Sequence, residues 1–378
     1  MRLLYCIPSL MNCGGTERVL TTRLNYLAEH SSYPLYIVTT ERQLTKPYFE
    51  LNPKISVINL DINFEDDNTL TSKILNYRRR LRLYKAKLSE LIQEIKPDVV
   101  TSLLSHEIDF LSKFNDGSAK IGENHFNRNF RYSFVKNNTK NILRRIIAKY
   151  RDFTLGYKVN KLDALVTLTQ NDADAWPNTV KKFVIPNPQS FVQGRKATGG
   201  SKQIVAAGRL TKQKGFDLLL DAWNLLYSSH PEWSLTIYGE GNERENLQSL
   251  IQSKGIKNAC IHPFVPNIQE KFITSEFYVL SSRFEGFGLV IIEAMECGLP
   301  VVAFDCQSGP SEIISDGKDG ILVRSGDVYA LADAMRCLIE DDKLRSAMRL
   351  SAIEKARHYS IDNIMNKWIN LYKTISRS

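Results

Sequence analysis

The chain has 378 residues and a mass of 43.2 kDa, which is more than one compact core usually holds, so we expect two domains. Its 43% hydrophobic and 24% charged residues are typical of a globular protein and exclude wholesale disorder. The net charge is +9, and the whole excess lies in residues 1–190, which hold 28 basic and 19 acidic residues.

Short apolar segments alternate with amphipathic helical patterns along the chain, which is typical of parallel α/β architecture. In the first half the predicted strands are Leu3–Ile7, Leu35–Thr39, Ile55–Leu60, Val99–Leu104 and Leu165–Leu168, with helices at Glu17–His30 and Leu70–Ile95. In the second half the predicted strands are Ile204–Ala207, Leu235–Tyr238, Phe277–Leu280 and Val301–Phe304, with helices at Gly215–Ser228, Glu243–Ser253 and Val328–Ile339. Pro and Gly interrupt the pattern in Ile185–Lys202, where we place the boundary. The prediction is an α/β protein with two Rossmann-like domains that face each other across a cleft containing the active site.

Two basic runs account for most of the positive charge: Lys73–Lys87 has seven basic residues, Asn124–Arg151 has eight, and neither contains an acid. Apolar residues are interleaved with the charges: Leu81, Leu83, Tyr84, Leu88, Ile142, Leu143, Ile146 and Ile147. This pattern fits a solvated helix face or an anionic membrane surface. Nucleic acid is not an expected partner, because the sequence has no zinc-finger spacing and no RNP-type motif.

Ligands of open parallel sheets bind beyond the carboxyl ends of the strands, so loops that follow strands are the first places to look for a site. The first such loop contains Gly14 and Gly15 and precedes a helix whose free N–H groups can hold an anion. Neither this loop nor the one at Gly239 has the G-x-G-x-x-G spacing of dinucleotide binders, so NAD is not expected. Taken alone, each of the two loops could equally be a simple tight turn.

Loops of the second half carry more chemistry. Arg209 and Lys214 follow a predicted strand, and a guanidinium with an ammonium suits a diphosphate, although surface cations are common. Glu285 and Glu293 bracket a glycine-rich turn into a predicted helix, whose N-terminal N–H groups can bind phosphate. One carboxylate could accept hydrogen bonds from a sugar and the other from a ribose. Alternatively, both could be acids that favour a helix N-terminus.

Taken together, the motifs GGTER, GRLTKQKGFD, YGEGNERENL, EGFGLVIIE and AMECGLPVVAFDCQSGPSEIISDGKDGILV resemble glycosyltransferase family 4. The resemblance is most specific from Gly208 to Gly326 and weakest from Leu44 to Ile95. It implies the GT-B fold and a retaining, nucleotide-sugar-dependent enzyme similar to transferases of bacterial surface polysaccharides. It further implies an acceptor-binding domain at residues 1–186, a donor-binding domain at 187–359, and a C-terminal helix at 360–378 that packs back on the first domain.

The same resemblance implies roles for individual residues. Arg209 and Lys214 would neutralise the donor diphosphate, Glu285 would contact the hydroxyls of the donor sugar, and Glu293 would bind the ribose. The remaining donor-binding positions are Gly14, Gly15, Gly239, Pro263, Phe264, Val265, Gly286, Phe287, Gly288 and Leu289. His125 takes the place of a family histidine near the transferring sugar, and it completes a catalytic set with Arg209, Lys214 and Glu285. The family often has the order Glu-His-Asn, whereas this chain has Glu123-Asn124-His125, which leaves open which residue points inward.

We expect neither a metal nor another cofactor. Asp172 and Asp174 have the D-x-D spacing of metal-dependent transferases, but they follow a predicted strand where an Asp would cap the next helix, so we interpret them as a cap. Arg209 and Lys214 can offset the diphosphate charge instead. The six cysteines show no CxxC spacing, which favours reduced thiols over disulfides or a zinc site.

The predicted reaction moves a hexose or N-acetylhexosamine from a UDP-sugar to a saccharide or polyprenyl-diphosphate-linked acceptor, in O-antigen, capsule or exopolysaccharide biosynthesis. A non-hydrolysing UDP-sugar epimerase and a non-catalytic nucleotide-sugar-binding protein are the alternatives. The N-terminal segment turns polar too early for a secretory signal, and no apolar stretch is long enough for a transmembrane helix. We therefore expect a cytoplasmic enzyme at the inner face of the membrane, held there by its basic runs.

Overall fold

A computed structural model of the chain describes residues 1–12, 14–42, 46–64, 66, 70–128, 142–189, 194–307 and 309–376, with side chains except at 70–75, 143 and 144. The chain forms two compact units: unit 1 is Met1–Asn187 with Ile361–Ser378, and unit 2 is Pro188–Ser360. Among the described residues, no helix combines the length and apolar character needed to cross a bilayer.

Unit 1 is built on a seven-stranded, fully parallel sheet in the order β3-β2-β1-β4-β5-β6-β7. The strands are β1 (Leu3–Ile7), β2 (Leu35–Thr39), β3 (Ile55–Asn59), β4 (Val99–Ser102), β5 (Ala119–Asn124), β6 (Ala164–Thr167) and β7 (Lys182–Val184). The strand order reverses between β1 and β4. In a doubly wound sheet, the loops at this switch point border the ligand-binding crevice.

The helices of unit 1 cover both faces of this sheet. They are α1 (Gly15–His30), α2 (Leu70–Ile95), α3 (Ile142–Val159), α4 (Gln170–Asp174) and the C-terminal helix (Ile361–Ile375). The α1 helix and the C-terminal helix share a core with the Leu3 and Tyr5 side of β1, while α2 packs on the Leu4 and Cys6 side. The alternation of side chains along β1 therefore requires apolar cover on both faces.

Most of the apolar residues named for the first basic run face inward. Tyr84 and Leu88 are fully buried in the core beneath α2, and Leu81 packs against the same cluster. Arg78, Arg79 and Arg82 are exposed on the other side of the helix. Leu83 is 44% exposed beside these arginines, so the outer side of α2 is mainly basic with one large apolar side chain, and its contact with a membrane stays a prediction.

Unit 2 is built on a six-stranded parallel sheet in the order β10-β9-β8-β11-β12-β13. Its strands are β8 (Gln203–Ala207), β9 (Ser234–Tyr238), β10 (Ala259–His262), β11 (Phe277–Leu280), β12 (Val301–Asp305) and β13 (Gly320–Arg324). Its helices are α5 (Phe216–Asn224), α6 (Arg244–Lys254), α7 (Gln269–Phe272), α8 (Leu289–Glu296), α9 (Pro310–Ile313), α10 (Val328–Glu340) and α11 (Asp342–Arg357). Trp223 of α5 and Met335 of α10 belong to the core that covers one face of the sheet.

The expected and observed elements differ mainly at strands with polar or half-exposed sequences. The strands β5, β7, β10 and β13 have no counterpart in the prediction, since each mixes apolar residues with charged or polar ones. The predicted strand Val99–Leu104 ends at Ser102, and the backbone of Leu104 is left-handed with φ +51. A left-handed leucine turns the chain out of the sheet at this point.

Candidate active site

The candidate site of unit 2 lies at the carboxyl edge of its sheet. Because all six strands are parallel, the loops after β8, β9, β10 and β11 leave the sheet at the same edge. These four loops carry Arg209 and Lys214, Gly239, Pro263 to Val265, and Glu285, respectively. The fold thus places at one edge residues that lie up to 76 positions apart in sequence.

The loop after β8 and the loop after β11 are fastened to each other by hydrogen bonds. Ser281 Oγ donates to Lys214 O at 3.0 Å, and Gln213 Nε2 donates to Phe284 O at 3.1 Å. Arg283 forms a bidentate ion pair with Asp217, with N–O distances of 2.8 and 2.6 Å. These bonds join both loops and the first turn of α5, so the side chains that the two loops carry keep fixed relative positions.

Two glycines allow these loops to approach one another. Gly215 is left-handed with φ +63, and a Cβ there would lie 2.1 Å from Ser281 O. A Cβ on Gly239 would lie 1.9 Å from Gly208 O. Any larger residue would push the backbones apart, so the floor of the site is main chain packed on main chain.

Lys214 and Glu285 form the charged centre of this edge. Lys214 Nζ donates to Glu285 Oε1 at 2.7 Å, and Ser282 Oγ donates to the same oxygen at 2.6 Å. The Lys214 side chain is 17% exposed, which leaves its ammonium within reach of a ligand, while Glu285 is buried. Arg209 is exposed, and in the described part of the chain no acidic side chain pairs with it.

The glycine-rich turn after Glu285 leads into α8. Gly288 occupies the N-cap position with φ +88, and no side chain caps the helix there. Phe287 is buried, and Leu289 is the first residue of the helix. The backbone N–H groups of the first turn point toward the N-terminal end of α8, where an anion is stabilised. Glu293 lies one turn further along α8 and is 4% exposed.

The loop after β10 lies at the same carboxyl edge of the sheet, next to the loop after β9. Tyr238 and His262, at the ends of the two strands, stack with ring centroids 5.4 Å apart. Phe264 is 54% exposed, and Pro263 next to it is exposed as well. This exposed aromatic surface is one on which a planar base could pack.

In unit 1, Gly14 and Gly15 lie between the end of β1 and the start of α1. Gly14 is the N-cap of α1, and no side chain caps the helix there. A Cβ on Gly15 would meet no atom within 4 Å, so the backbone is open at this position. The acidic Glu17 lies in the first turn of α1 and its carboxylate is close to Gly14, so anion binding by this loop stays a prediction.

His125 follows β5 and lies against a buried ion pair. Arg23 Nη1 and Nη2 donate to the Glu123 carboxylate at 2.8 and 2.7 Å, and both side chains are 1% exposed. His125 Nε2 lies 2.9 Å from Glu123 Oε1, outside good hydrogen-bond alignment. Burial alone would raise the pKa of Glu123, but the charges of Arg23 and His125 outweigh burial and lower the pKa to about 2.

The interpretation of Asp172 and Asp174 as a helix cap is wrong. Thr169 is the N-cap of α4, and its side chain accepts from Asp172 N at 3.2 Å. The buried Asp172 carboxylate instead accepts from Asn124 Nδ2 at 2.7 Å and from Arg128 N at 2.8 Å, which fixes both ends of the loop that holds His125. Within the described ranges, no three His, Cys, Asp or Glu residues cluster closely enough to hold a metal ion.

Several contacts of these sites were not predicted from the sequence. Ser282, Arg283 and Asp217 have ordinary positions in the sequence, and only the fold shows that they fix Lys214 and Glu285. The sequence position of Arg23 could have indicated a buried ion pair, because Arg23 lies beside Leu20, Leu24 and Leu27 on the apolar face of α1. A charged residue at such a position requires a buried partner.

Comparison with known proteins places the chain among transferases. Residues 189–355 match the family model described as glycosyl transferases group 1. A glycosyltransferase of Haemophilus influenzae is 28% identical over 376 residues, which cover 96% of this chain and 98% of the relative. The amylovoran biosynthesis glycosyltransferase AmsD of Erwinia amylovora is 28% identical over 97% of this chain and 98% of the relative.

A shorter match extends to a transferase of Campylobacter jejuni. This protein is N-acetylgalactosamine-N,N'-diacetylbacillosaminyl-diphospho-undecaprenol 4-alpha-N-acetylgalactosaminyltransferase, and it is 32% identical over 42% of this chain and 43% of the relative.

Solved structures with bound UDP or UDP-glucose share the fold. A Staphylococcus aureus TarM mutant in complex with UDP has a TM-score of 0.76 and 18% identity, and the match covers 98% of this chain and 99% of that one. HepE from Anabaena in complex with UDP-glucose has a TM-score of 0.71 and 17% identity, over 99% of this chain and 100% of that one.

The two parallel sheets and these structural matches define the fold as GT-B, as the sequence predicted. Residues 189–355 of unit 2 thus resemble the group 1 glycosyl transferases, and the chain as a whole is a glycosyltransferase similar to enzymes of bacterial polysaccharide biosynthesis.

Proposed function

We propose that the chain is a retaining family 4 glycosyltransferase that moves a hexose or N-acetylhexosamine from a UDP-sugar to a saccharide acceptor. One observation carries this proposal: the Lys214–Glu285 pair is fixed by two interlocked loops next to the uncapped N-terminus of α8. A cation, a carboxylate and free N–H groups at one edge match the needs of a sugar diphosphate. TarM and HepE, which share the fold, bind UDP and UDP-glucose, and this supports the choice of nucleotide.

Negative charge builds up on the diphosphate as the bond to the sugar breaks, and Lys214 is the residue placed to offset it. Its ammonium is held by Glu285, at a position that Ser282 fixes through the same carboxylate oxygen. Arg209, which is exposed, adds a second cation. Preorganised charges of this kind stabilise a transition state without reorganising during the reaction.

For the stereochemistry, we propose attack on the same face that the leaving group occupies. The bond between the anomeric carbon and the diphosphate oxygen breaks, and the acceptor oxygen forms a new bond to that carbon. The acceptor's proton passes to the departing phosphate oxygen. Glu285 would hold the sugar hydroxyls and Glu293 the ribose, while His125 would act near the transferring sugar.

The reaction would not require a metal ion, because Arg209 and Lys214 supply the positive charge that a divalent ion would otherwise provide. We expect turnover to persist in the presence of EDTA. A strict dependence on added Mn²⁺ would contradict this part of the proposal.

We further propose a lipid-linked acceptor at the inner face of the cytoplasmic membrane. The positive excess of residues 1–190 supports an anionic surface as partner. The Campylobacter relative, whose name specifies a diphospho-undecaprenol acceptor, supports the same acceptor class.

Thermal denaturation with a panel of UDP-hexoses and UDP-N-acetylhexosamines tests donor binding, because a ligand bound only by the folded state raises the melting temperature. We expect UDP and one or two UDP-sugars to raise it, and Lys214→Ala to abolish most of the shift. Lys254→Ala is a matched control, since Lys254 forms an ion pair of the same length, 2.7 Å, with Asp221 elsewhere in unit 2. Equal shifts for both variants, or no shift with any UDP-sugar, would reject the donor site. Epimer formation from a UDP-sugar alone would instead identify an epimerase.

A further inference from the structure

An exposed apolar stripe runs along α3. Ile142, Ile146, Tyr150, Phe153 and Tyr157 are 71%, 58%, 68%, 73% and 59% exposed. Their spacing of four, four, three and four residues places all five on one face of the helix. Single exposed apolar residues are common on protein surfaces, but five in a row along one helix form a patch that requires an explanation.

The stripe does not result from a loosely attached helix. Ala148, Leu155 and Val159, on another face of α3, are 3%, 5% and 0% exposed. Leu155 and Val159 pack in one cluster with Leu165 of β6 and with Trp176. The α3 helix is thus held to unit 1 by one apolar face and presents a second one outward.

Basic residues flank this stripe. Arg145, Lys149 and Arg151 are exposed on α3, and Asp152 is the only acid in the helix. Lys161, just beyond the helix, places Nζ 4.3 Å from the centroid of the Tyr157 ring. An apolar face with tyrosine and phenylalanine, bordered by cations, matches an anionic lipid surface in both hydrophobicity and charge. A second copy of the chain fits less well, because it would bring like charges together.

The α3 helix is also fastened to the loop that holds His125. Arg128 Nε donates to Asp152 Oδ1 at 3.2 Å, and the missing side chain of Gly156 leaves room for the Arg128 guanidinium. Arg128 N in turn donates to Asp172 at 2.8 Å. A surface on which α3 rested would therefore lie next to the loop of His125, the residue proposed to act near the transferring sugar.

We propose that α3 docks unit 1 onto an anionic bilayer, with the stripe from Ile142 to Tyr157 buried among the lipid headgroups and upper acyl chains. This inference deepens the proposed function by naming the element that meets the membrane. The basic face of α2 would add mainly long-range attraction, because Tyr84 and Leu88 are buried in the core, while Leu83 is 44% exposed.

Co-sedimentation of the full chain with lipid vesicles tests the docking surface. We expect the wild type to pellet with phosphatidylcholine vesicles that contain phosphatidylglycerol and to pellet poorly with phosphatidylcholine alone. Phe153→Ser combined with Tyr157→Ser should lower the partition coefficient by about tenfold or more, since each substitution removes a large exposed apolar side chain that docking would bury in the lipid. A double variant with Tyr329→Ser and Leu350→Ser is the matched control: these residues are 73% and 71% exposed in unit 2, and the variant should pellet as the wild type does.

Equal loss in both double variants, or no pelleting of the wild type with either vesicle, would overturn the proposal. A dimer in sedimentation velocity that the α3 variant abolishes, without vesicle binding, would instead assign the stripe to contact between copies. UDP-induced thermal stabilisation of each variant is measured in parallel, and it should be unchanged in both. Failure of membrane docking is thereby distinguished from failure of the donor site.

Discussion

At the scale of single residues, the proposed role of Lys214 in catalysis depends on the side chains that fix the position of its ammonium group. Its partner Glu285 is buried and receives a second hydrogen bond from Ser282, so the ammonium has a defined position before any ligand arrives. A charge that needs no rearrangement stabilises a transition state more effectively than a mobile one.

We expect Lys214→Ala and Arg209→Ala each to lower kcat by about 10²-fold or more, because each removes a charge directed at the leaving diphosphate. Steady-state kinetics with the donor identified by thermal shift would measure the effect. Turnover within about twofold of wild type for both variants would remove these residues from the mechanism.

Substitutions of Glu285 and Glu293 should have different effects on donor binding and on turnover. Glu293→Gln is expected to weaken binding of UDP by about 1.5–3 kcal/mol, since it removes the charge from a hydrogen bond to the ribose. Glu285→Gln should mainly lower kcat and reduce the selectivity among donor sugars. Its effect on the affinity for UDP should be smaller. Calorimetric titration with UDP and with UDP-sugars distinguishes the two roles, and UDP affinity unchanged in Glu293→Gln would place ribose recognition elsewhere.

The Arg23–Glu123 pair should make the stability of unit 1 depend on pH. The folded pKa of Glu123 is about 2, below its ordinary value of 4.5. A carboxyl group whose folded pKa is lowered stabilises the fold above its unfolded pKa, and this stabilisation disappears as pH falls through the folded pKa. It should therefore be fully present at neutral pH and decline between about pH 4.5 and 2, by roughly 3 kcal/mol at most.

A double-mutant cycle in chemical denaturation checks this. Glu123→Leu alone leaves Arg23 buried and unpaired, which should cost about 3–5 kcal/mol. Adding Arg23→Met should recover much of that loss and remove the contribution of the pair to the acid dependence. An unchanged pH profile in the double variant would show that the acid sensitivity arises at other carboxylates.

At the scale of whole elements, the C-terminal helix completes the core of unit 1. Trp368 is 2% exposed and lies over Arg23, with the guanidinium carbon 4.0 Å from the ring centroid. The hydroxyls of Tyr372 and Tyr5 are 2.7 Å apart in the same buried region. The last segment of the chain thus covers a charged group that the first helix brings into the core.

Trp368→Ala should destabilise unit 1 by about 3–5 kcal/mol, because it opens a large cavity and removes the cation–π contact with Arg23. Lys367→Ala, an exposed neighbour on the same helix, should change stability by no more than about 0.5 kcal/mol. Urea denaturation followed by circular dichroism gives both values, and equal stability of the two variants would contradict this role of the helix.

Elements could be predicted from the sequence where their pattern of apolar residues was strong. The strand β1, with five buried residues, and the helix α2 have the expected bounds. The strand β5 was missed because Lys120 lies within it, buried against Asp116 at 2.8 Å, a pairing that no apolar pattern reveals. The orientation of the apolar residues of α2 could not be predicted either. The sequence shows their spacing, but only the fold shows which face of the helix packs on the sheet.

The candidate site was predictable to a similar extent. Arg209, Lys214 and Glu285 were singled out by motif, and the parallel sheet places their loops at one edge. Asp172 was misinterpreted because an Asp after a strand usually caps the next helix, whereas here Thr169 takes that position. Its actual partners, Asn124 and Arg128, lie more than 40 positions away in sequence.

At the scale of the whole molecule, the net charge is distributed unevenly along the chain. The positive excess lies within residues 1–190, while the remaining residues carry equal numbers of acids and bases. We expect about 0.5 M salt to lower turnover of a lipid-linked acceptor in anionic vesicles much more than turnover of the same saccharide in solution, since exposed charges are screened. Paired assays at low and high salt would test this, and equal salt sensitivity of both reactions would contradict it.

The ion pair between Lys214 and Glu285 has a consequence for selectivity. The Lys214 ammonium already has an internal counterion, so an anion that binds to it must compete with a carboxylate that is held in place. Under the proposed function, a small anion such as inorganic phosphate would make fewer additional contacts than a nucleoside diphosphate, which would add contacts from its ribose, its base and the backbone N–H groups. Glu285 would then disfavour binding of phosphate alone and keep the site available for sugar nucleotides in a cell rich in phosphate.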